Sequence, residues 1–158
     1  MFRVTADSLE TYLDFDPARK SDLLQFDALI KKAAPQLKRY FHQGTPAGEA
    51  GMRMNMIGYG RFRYAIKSGK STDWPVIGIA LQKNYISAYF SITIDGSPIV
   101  GAYAGRLGET RSGRNNFSFV AFVDLDAEAL SALLSETERI YVSDPENPRR
   151  YREGSRND

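Results

Sequence analysis

The heptapeptide "IKSGKST", residues 66 to 72, ends in the Gly-Lys-Ser-Thr run that a nucleotide-binding phosphate loop carries. Such a loop needs a glycine five positions before the Gly-Lys pair, so that backbone N–H groups can curl around the phosphates. That position holds Tyr64, whose side chain obstructs the turn. A phosphate loop must also open a helix, because the helix N-terminus helps to hold the anion. Here Asp73, Trp74 and Pro75 follow, and then "VIGIAL", an apolar and β-branched run that reads as a strand. The segment is therefore expected to be the turn of a hairpin.

Basic and aromatic residues interleave around this turn. Tyr59, Arg61, Arg63, Tyr64, Lys67, Lys70 and Trp74 lie on it or beside it, and Lys83, Arg111 and Arg114 fall on later loops. If the fold brings them together, arginine forks and aromatic faces suit a phosphate- or carboxylate-bearing ligand. Strand alternation places Arg61 and Arg63 on one face and Phe62 and Tyr64 on the other. The same pattern describes a sheet with one wet side, and Trp74 is equally a packing plug at the hairpin.

Other chemistries find less support. His42 is the only histidine and there is no cysteine, so the usual base and the strongest nucleophile are scarce. Next to the Gly- and Pro-rich "QGTPAGEAG", His42 reads as an exposed loop-edge residue. The "RFRY" interleaving, residues 61 to 64, lacks the Lys/Arg-Gly-aromatic-Gly/Ala-Phe-Val motif of RNA-binding sheets, so nucleic acid is not an expected partner.

These residues need a scaffold. "DPARKSDLLQFDALIKKAA" reads as a helix capped by Asp16, with Leu23, Phe26, Ile30 and Ala33 on one face. "SLETYL" before it is a short helix, and "QLKRYF" after it is expected to add one or two helical turns. "MRMNMI" alternates methionine with polar residues at strand period, a half-buried face more than a soft-metal row. "RFRYAIK", "VIGIALQ" and "ISAYFSI" read as successive antiparallel strands. "SPIVGAYAGRLG" reads as a short helix, "ETRSGRNN" as a basic loop and "FSFVAFV" as a last strand. Asp124 or Asp126 then caps a helix over "AEALSALLSETERI". The expectation is an α+β fold: a single antiparallel sheet of four to six strands with N- and C-terminal helices packed on one face. Residues 1–142 form one domain in this reading, and 143–158, with two prolines and little apolar content, a flexible tail.

Composition fits that scaffold. With 42% hydrophobic and 25% charged residues, wholesale disorder is not expected. No apolar run approaches membrane-spanning length, the N-terminus carries acids where a signal peptide is apolar, and cysteine is absent, so a cytoplasmic protein is expected. The charge is segregated: residues 1–30 hold three basic and six acidic residues, 31–114 thirteen and four, and 115–158 five and nine. A basic middle between acidic ends makes either an anion-binding face or two parts of one domain that attract each other.

From "GYGRFRYAIKSGKSTDWPVIGIALQKNYISAYF" through "RLGETRSGRNNFSFVAFVDLDAEALSALL" the chain resembles the small bacterial YdhG-like family, a domain of unknown function. The likeness is carried in order by a Gly58-Tyr59-Gly60 turn, Gly69, Asp73-Trp74-Pro75, Lys83, Leu107-Gly108, Gly113-Arg114, Asp124 and Asp126. Arg63 and Ala65 depart from it, standing where the family often has histidine and lysine, and the basic loop is "RSGR" where lysine is usual. One branch of the family is linked to frataxin-like iron delivery, which implies iron as a possible cargo. Such delivery wants exposed carboxylates. Asp7, Glu10 and Asp14 have the spacing to share a helix face, with Asp16, Asp22 and Asp27 nearby. A solvated acidic face is the plainer reading of these acids.

The residues and the resemblance together point to a non-enzymatic binding or accessory domain that handles iron or a small ligand. The alternative is a small-anion sensor or enzyme using the basic aromatic cleft. A protein-interaction module is the third option.

Overall fold

A computed structural model describes residues 2–44, 54–66 and 68–156. Helix α1 (Leu9–Asp14) starts at Ser8, whose hydroxyl accepts from Thr11 N while Thr11 reaches back to the Ser8 N–H. Asp16 caps a 3-10 turn over Pro17–Arg19, which leads into α2 (Lys20–Ala33). Leu23, Phe26 and Ile30 of α2 are buried at helical spacing. The strands are β1 (Arg39–His42), β2 (Met56–Ala65), β3 (Ser71–Leu81), β4 (Ile86–Phe90), β5 (Thr93–Ile94), β6 (Ser97–Pro98), β7 (Arg111–Ser112) and β8 (Asn116–Phe119). Helix α3 (Ile99–Tyr103) follows β6. Helix α4 (Ala127–Ser143) begins where Asp126 accepts from Ala129 N, and α5 (Asn147–Arg156) closes the chain.

Among the described residues the main sheet has six strands in the order β1-β2-β3-β4-β8-β7, every neighbouring pair antiparallel, and β5 and β6 form a separate hairpin. The fold is α+β, as expected. Phe26 of α2 stacks on Phe117 and Phe119 of β8, at ring distances of 6.4 and 5.6 Å. Leu130, Leu133 and Leu134 of α4 are buried in the same core, and Ser135 binds the Ala33 carbonyl to join the two helices. No helix among the described residues is long and apolar enough to cross a membrane.

The structure corrects several local expectations. "QLKRYF" is not helical: a tight turn at Leu37 N–Ala34 O leads into β1, which pairs with Ile57 and its neighbours. Gly58-Tyr59-Gly60 lies inside β2 and is not a turn. "FSFVAFV" leaves the sheet at Phe119, and Val120 and Val123 stand exposed at 65% and 84%. Met52 and Lys67 lie outside the described residues. The largest correction concerns residues 143–158. The described part of this segment, 143–156, is not loose: 147–156 form α5 packed beside β2 and β5. Pro148 sits in the first turn, where a missing N–H costs nothing. The Asn147 side chain accepts from Thr93 N and donates to Thr93 O, pinning the helix start to β5.

Candidate functional site

Ile66 N to Lys70 O and Gly69 N to Ile66 O close the "IKSGKST" turn, and β3 begins at Ser71. The Gly-Lys-Ser-Thr run therefore enters a strand, and no helix opens behind it. What the hairpin builds is a cleft of about 350 Å³ between β1 and the far ends of β2 and β3. Tyr40 and His42 line it from β1, Arg61, Arg63 and Tyr64 from β2, and Asp73 and Trp74 from β3.

Local backbone rules shape this cleft. Gly58 lets the Tyr40 ring lie directly against β2, since a Cβ there would come 2.5 Å from the ring. Gly60 adopts φ +73, a left-handed conformation that glycine accepts without strain, next to Val76 and Leu37. Arg61 follows at once, and its guanidinium stacks on the Tyr40 ring 4.1 Å from the centroid. Arg63 pairs with Asp73 across the β2–β3 register at 3.1 Å. The His42 ring meets Trp74 edge-on at 5.3 Å, and its Nδ1 lies 3.5 Å from the Tyr40 hydroxyl.

The electrostatics favour an anion. Burial first, and the Arg61 charge second, pull His42 down to about 4, against an opposing pull from Asp73. At neutral pH it is an uncharged ring that can donate or accept a hydrogen bond. Burial pushes the Tyr40 hydroxyl up to about 12, so it stays protonated. The cleft thus holds two guanidinium groups against one carboxylate, on aromatic walls. A base with a pKa near 4 is poorly matched to proton transfer at neutral pH.

Of the residues singled out in the sequence, Arg61, Arg63, Tyr64 and Trp74 are brought together here. Tyr59 is not: it is fully buried, and its hydroxyl donates to Asp27 at 2.5 Å beneath the sheet. Lys83 is exposed in the β3–β4 turn, and Arg111 is exposed on β7 at the far edge. Arg114 reaches α5, where Nε donates to the Tyr151 hydroxyl beside a second groove of about 640 Å³. That groove is larger, but its Arg150 is already paired with Asp144, so it leaves less free charge for a ligand. Asp7, Glu10 and Asp14 do not converge: Asp7 accepts from Thr11, and Asp14 pairs with Lys20 at 2.5 Å. Among the described residues no three His, Asp or Glu side chains are placed to hold a metal ion.

Two residues of the site and one beside it escape a sequence reading. His42 is not an exposed loop-edge residue but is 7% exposed at the end of β1. Tyr40 and His42 alternate at strand period, a signal hidden by the helical reading of that stretch. Arg152 of α5 is the third. Its guanidinium lies 4.7 Å from the Trp74 ring and 5.8 Å from that of Tyr64.

Comparison with known protein families, curated proteins and solved structures gives no match to this chain. The likeness to YdhG-like domains therefore rests on the residues quoted above.

Proposed function

We propose that this protein is a non-enzymatic binding domain for a small anionic molecule with a planar body, held in the cleft between β1, β2 and β3. The observation that carries the reading is the convergence of Arg61, Arg63, Tyr40, Tyr64 and Trp74 from three strands around one concave space. Concave sites with aromatic walls and a few placed polar groups are where small ligands are held. Arg61 is preorganised by its stack on Tyr40, which lowers the ordering cost of meeting a carboxylate or phosphate. Neutral His42 and the Tyr40 hydroxyl add hydrogen bonds without adding charge.

Trp74 is the only tryptophan, so its fluorescence reports on this cleft alone. Titration with benzoate, benzenesulfonate and phenyl phosphate should give a saturable change for at least one of them. Arg61→Ala should weaken that binding by roughly tenfold or more. A flat response to all three up to roughly 10 mM, with calorimetry also silent, overturns the proposal.

A further inference from the structure

Arg152 lies behind the aromatic wall of the cleft. It does not line the cleft itself, but its guanidinium rests on the same Trp74 and Tyr64 rings that do. Its Nε is buried without a hydrogen-bond partner, and so is Nε1 of Trp74, a residue only 3% exposed. Among the described residues Arg152 enters no ion pair, whereas its neighbours Arg149 and Arg150 on the same helix do. The titratable groups that act on it are the Tyr64 and Tyr151 phenols. Burial lowers its affinity for the proton, with the Tyr64 and Tyr151 hydroxyls opposing.

A half-buried guanidinium without a counter-ion is unfavourable unless something supplies the missing negative charge. The two aromatic faces compensate in part. An anion on the other side of a wall one ring thick would meet the remainder, because low polarisability there leaves the attraction weakly screened. Counting outward from that wall, Arg61, Arg63 and Arg152 supply three positive charges, Asp73 one negative charge, and His42 none.

We infer that the cleft selects a doubly charged head group on a planar molecule, an aryl or nucleoside-type phosphate monoester being the nearest chemistry, and that Arg152 of α5 provides the preference for the second charge. This rests on the anion-binding reading above and specifies its ligand. Arg152 acts here as a positioning residue through Trp74 and Tyr64, without touching the ligand.

The test compares two phenyl probes with three-oxygen head groups of different charge, phenyl phosphate carrying in addition an ester oxygen. Phenyl phosphate is largely a dianion at pH 7.5, and benzenesulfonate is a monoanion. In the wild-type protein, Trp74 fluorescence should show phenyl phosphate binding roughly tenfold or more tightly than benzenesulfonate. Arg152→Gln and Arg152→Met should bring the two affinities closer by weakening phenyl phosphate more than benzenesulfonate, while Arg152→Lys keeps the preference and Arg150→Gln leaves it unchanged. A purely structural role for Arg152 would weaken both probes alike, and that result overturns the inference. Equal affinity of the wild type for the two probes overturns it as well, whatever the variants do, while leaving the anion-binding reading intact. No binding of either probe overturns the inference, and silence of benzoate as well overturns the anion-binding reading with it.

Discussion

His42 couples the cleft to pH. An unfolded chain protonates a histidine near pH 6.5, whereas the folded chain holds His42 neutral down to about 4. Between those values the unfolded state binds more protons, so stability falls as pH falls. The expected loss between pH 7 and pH 5 is about 2 kcal/mol from this residue. Arg61 deepens the effect and Asp73 opposes it. Urea denaturation of the wild type and His42→Gln at both values checks this: the wild type should lose about that much more than the variant. A sole histidine also gives a single imidazole signal, so an NMR titration reads the folded value directly. Beneath the sheet, Asp27 accepts from the Tyr59 hydroxyl and from Arg39 at 3.0 Å, and pairs with Lys31 at 3.1 Å. Asp27→Ala strands a buried hydroxyl and a partly buried guanidinium, and should cost roughly 3 kcal/mol. Tyr59→Phe removes one bond and should cost about 1 kcal/mol. Chemical denaturation of both variants should reproduce that order.

At the scale of elements, β2 carries the cleft because Gly58 admits a ring where any side chain would collide with it. Gly58→Ala should push Tyr40 off the strand, break its stack with Arg61, and cost roughly 1 to 3 kcal/mol. Anion binding should weaken in the same variant, seen in its Trp74 titration. The helices were legible because their caps and stripes are local: Asp16 and Asp126 cap, and Leu23, Phe26 and Ile30 recur at helical spacing. The β1 segment was not. Four residues with no turn signal and a preceding Pro35 fit a frayed helix or an edge strand equally, and only pairing with Ile57 and its neighbours chooses.

For the whole molecule, α5 joins the C-terminal end of the chain to the site. Deleting residues 147–158 should uncover Trp74, move its emission to longer wavelength, and lower stability by roughly 2 to 4 kcal/mol. The segregated charge finds a partial outlet in the fold. Asp27 from the acidic N-terminal part pairs with Arg39 of the basic middle, and Glu153 of α5 accepts from Ala65 N on β2. The sequence by itself determined the α+β class, the antiparallel hairpin at Lys70, the absence of a phosphate cradle and the capped helices. Each of these follows from a period, a turn residue or a cap acting over a few positions. The tertiary structure alone decided that Tyr59 turns inward to Asp27 while Arg61 turns to Tyr40. It also decided that His42 is buried and that Arg152, 78 positions after Trp74, lies against its ring. Those outcomes depend on contacts between segments far apart in the chain, where burial and pairing outweigh the local preferences that sequence patterns record.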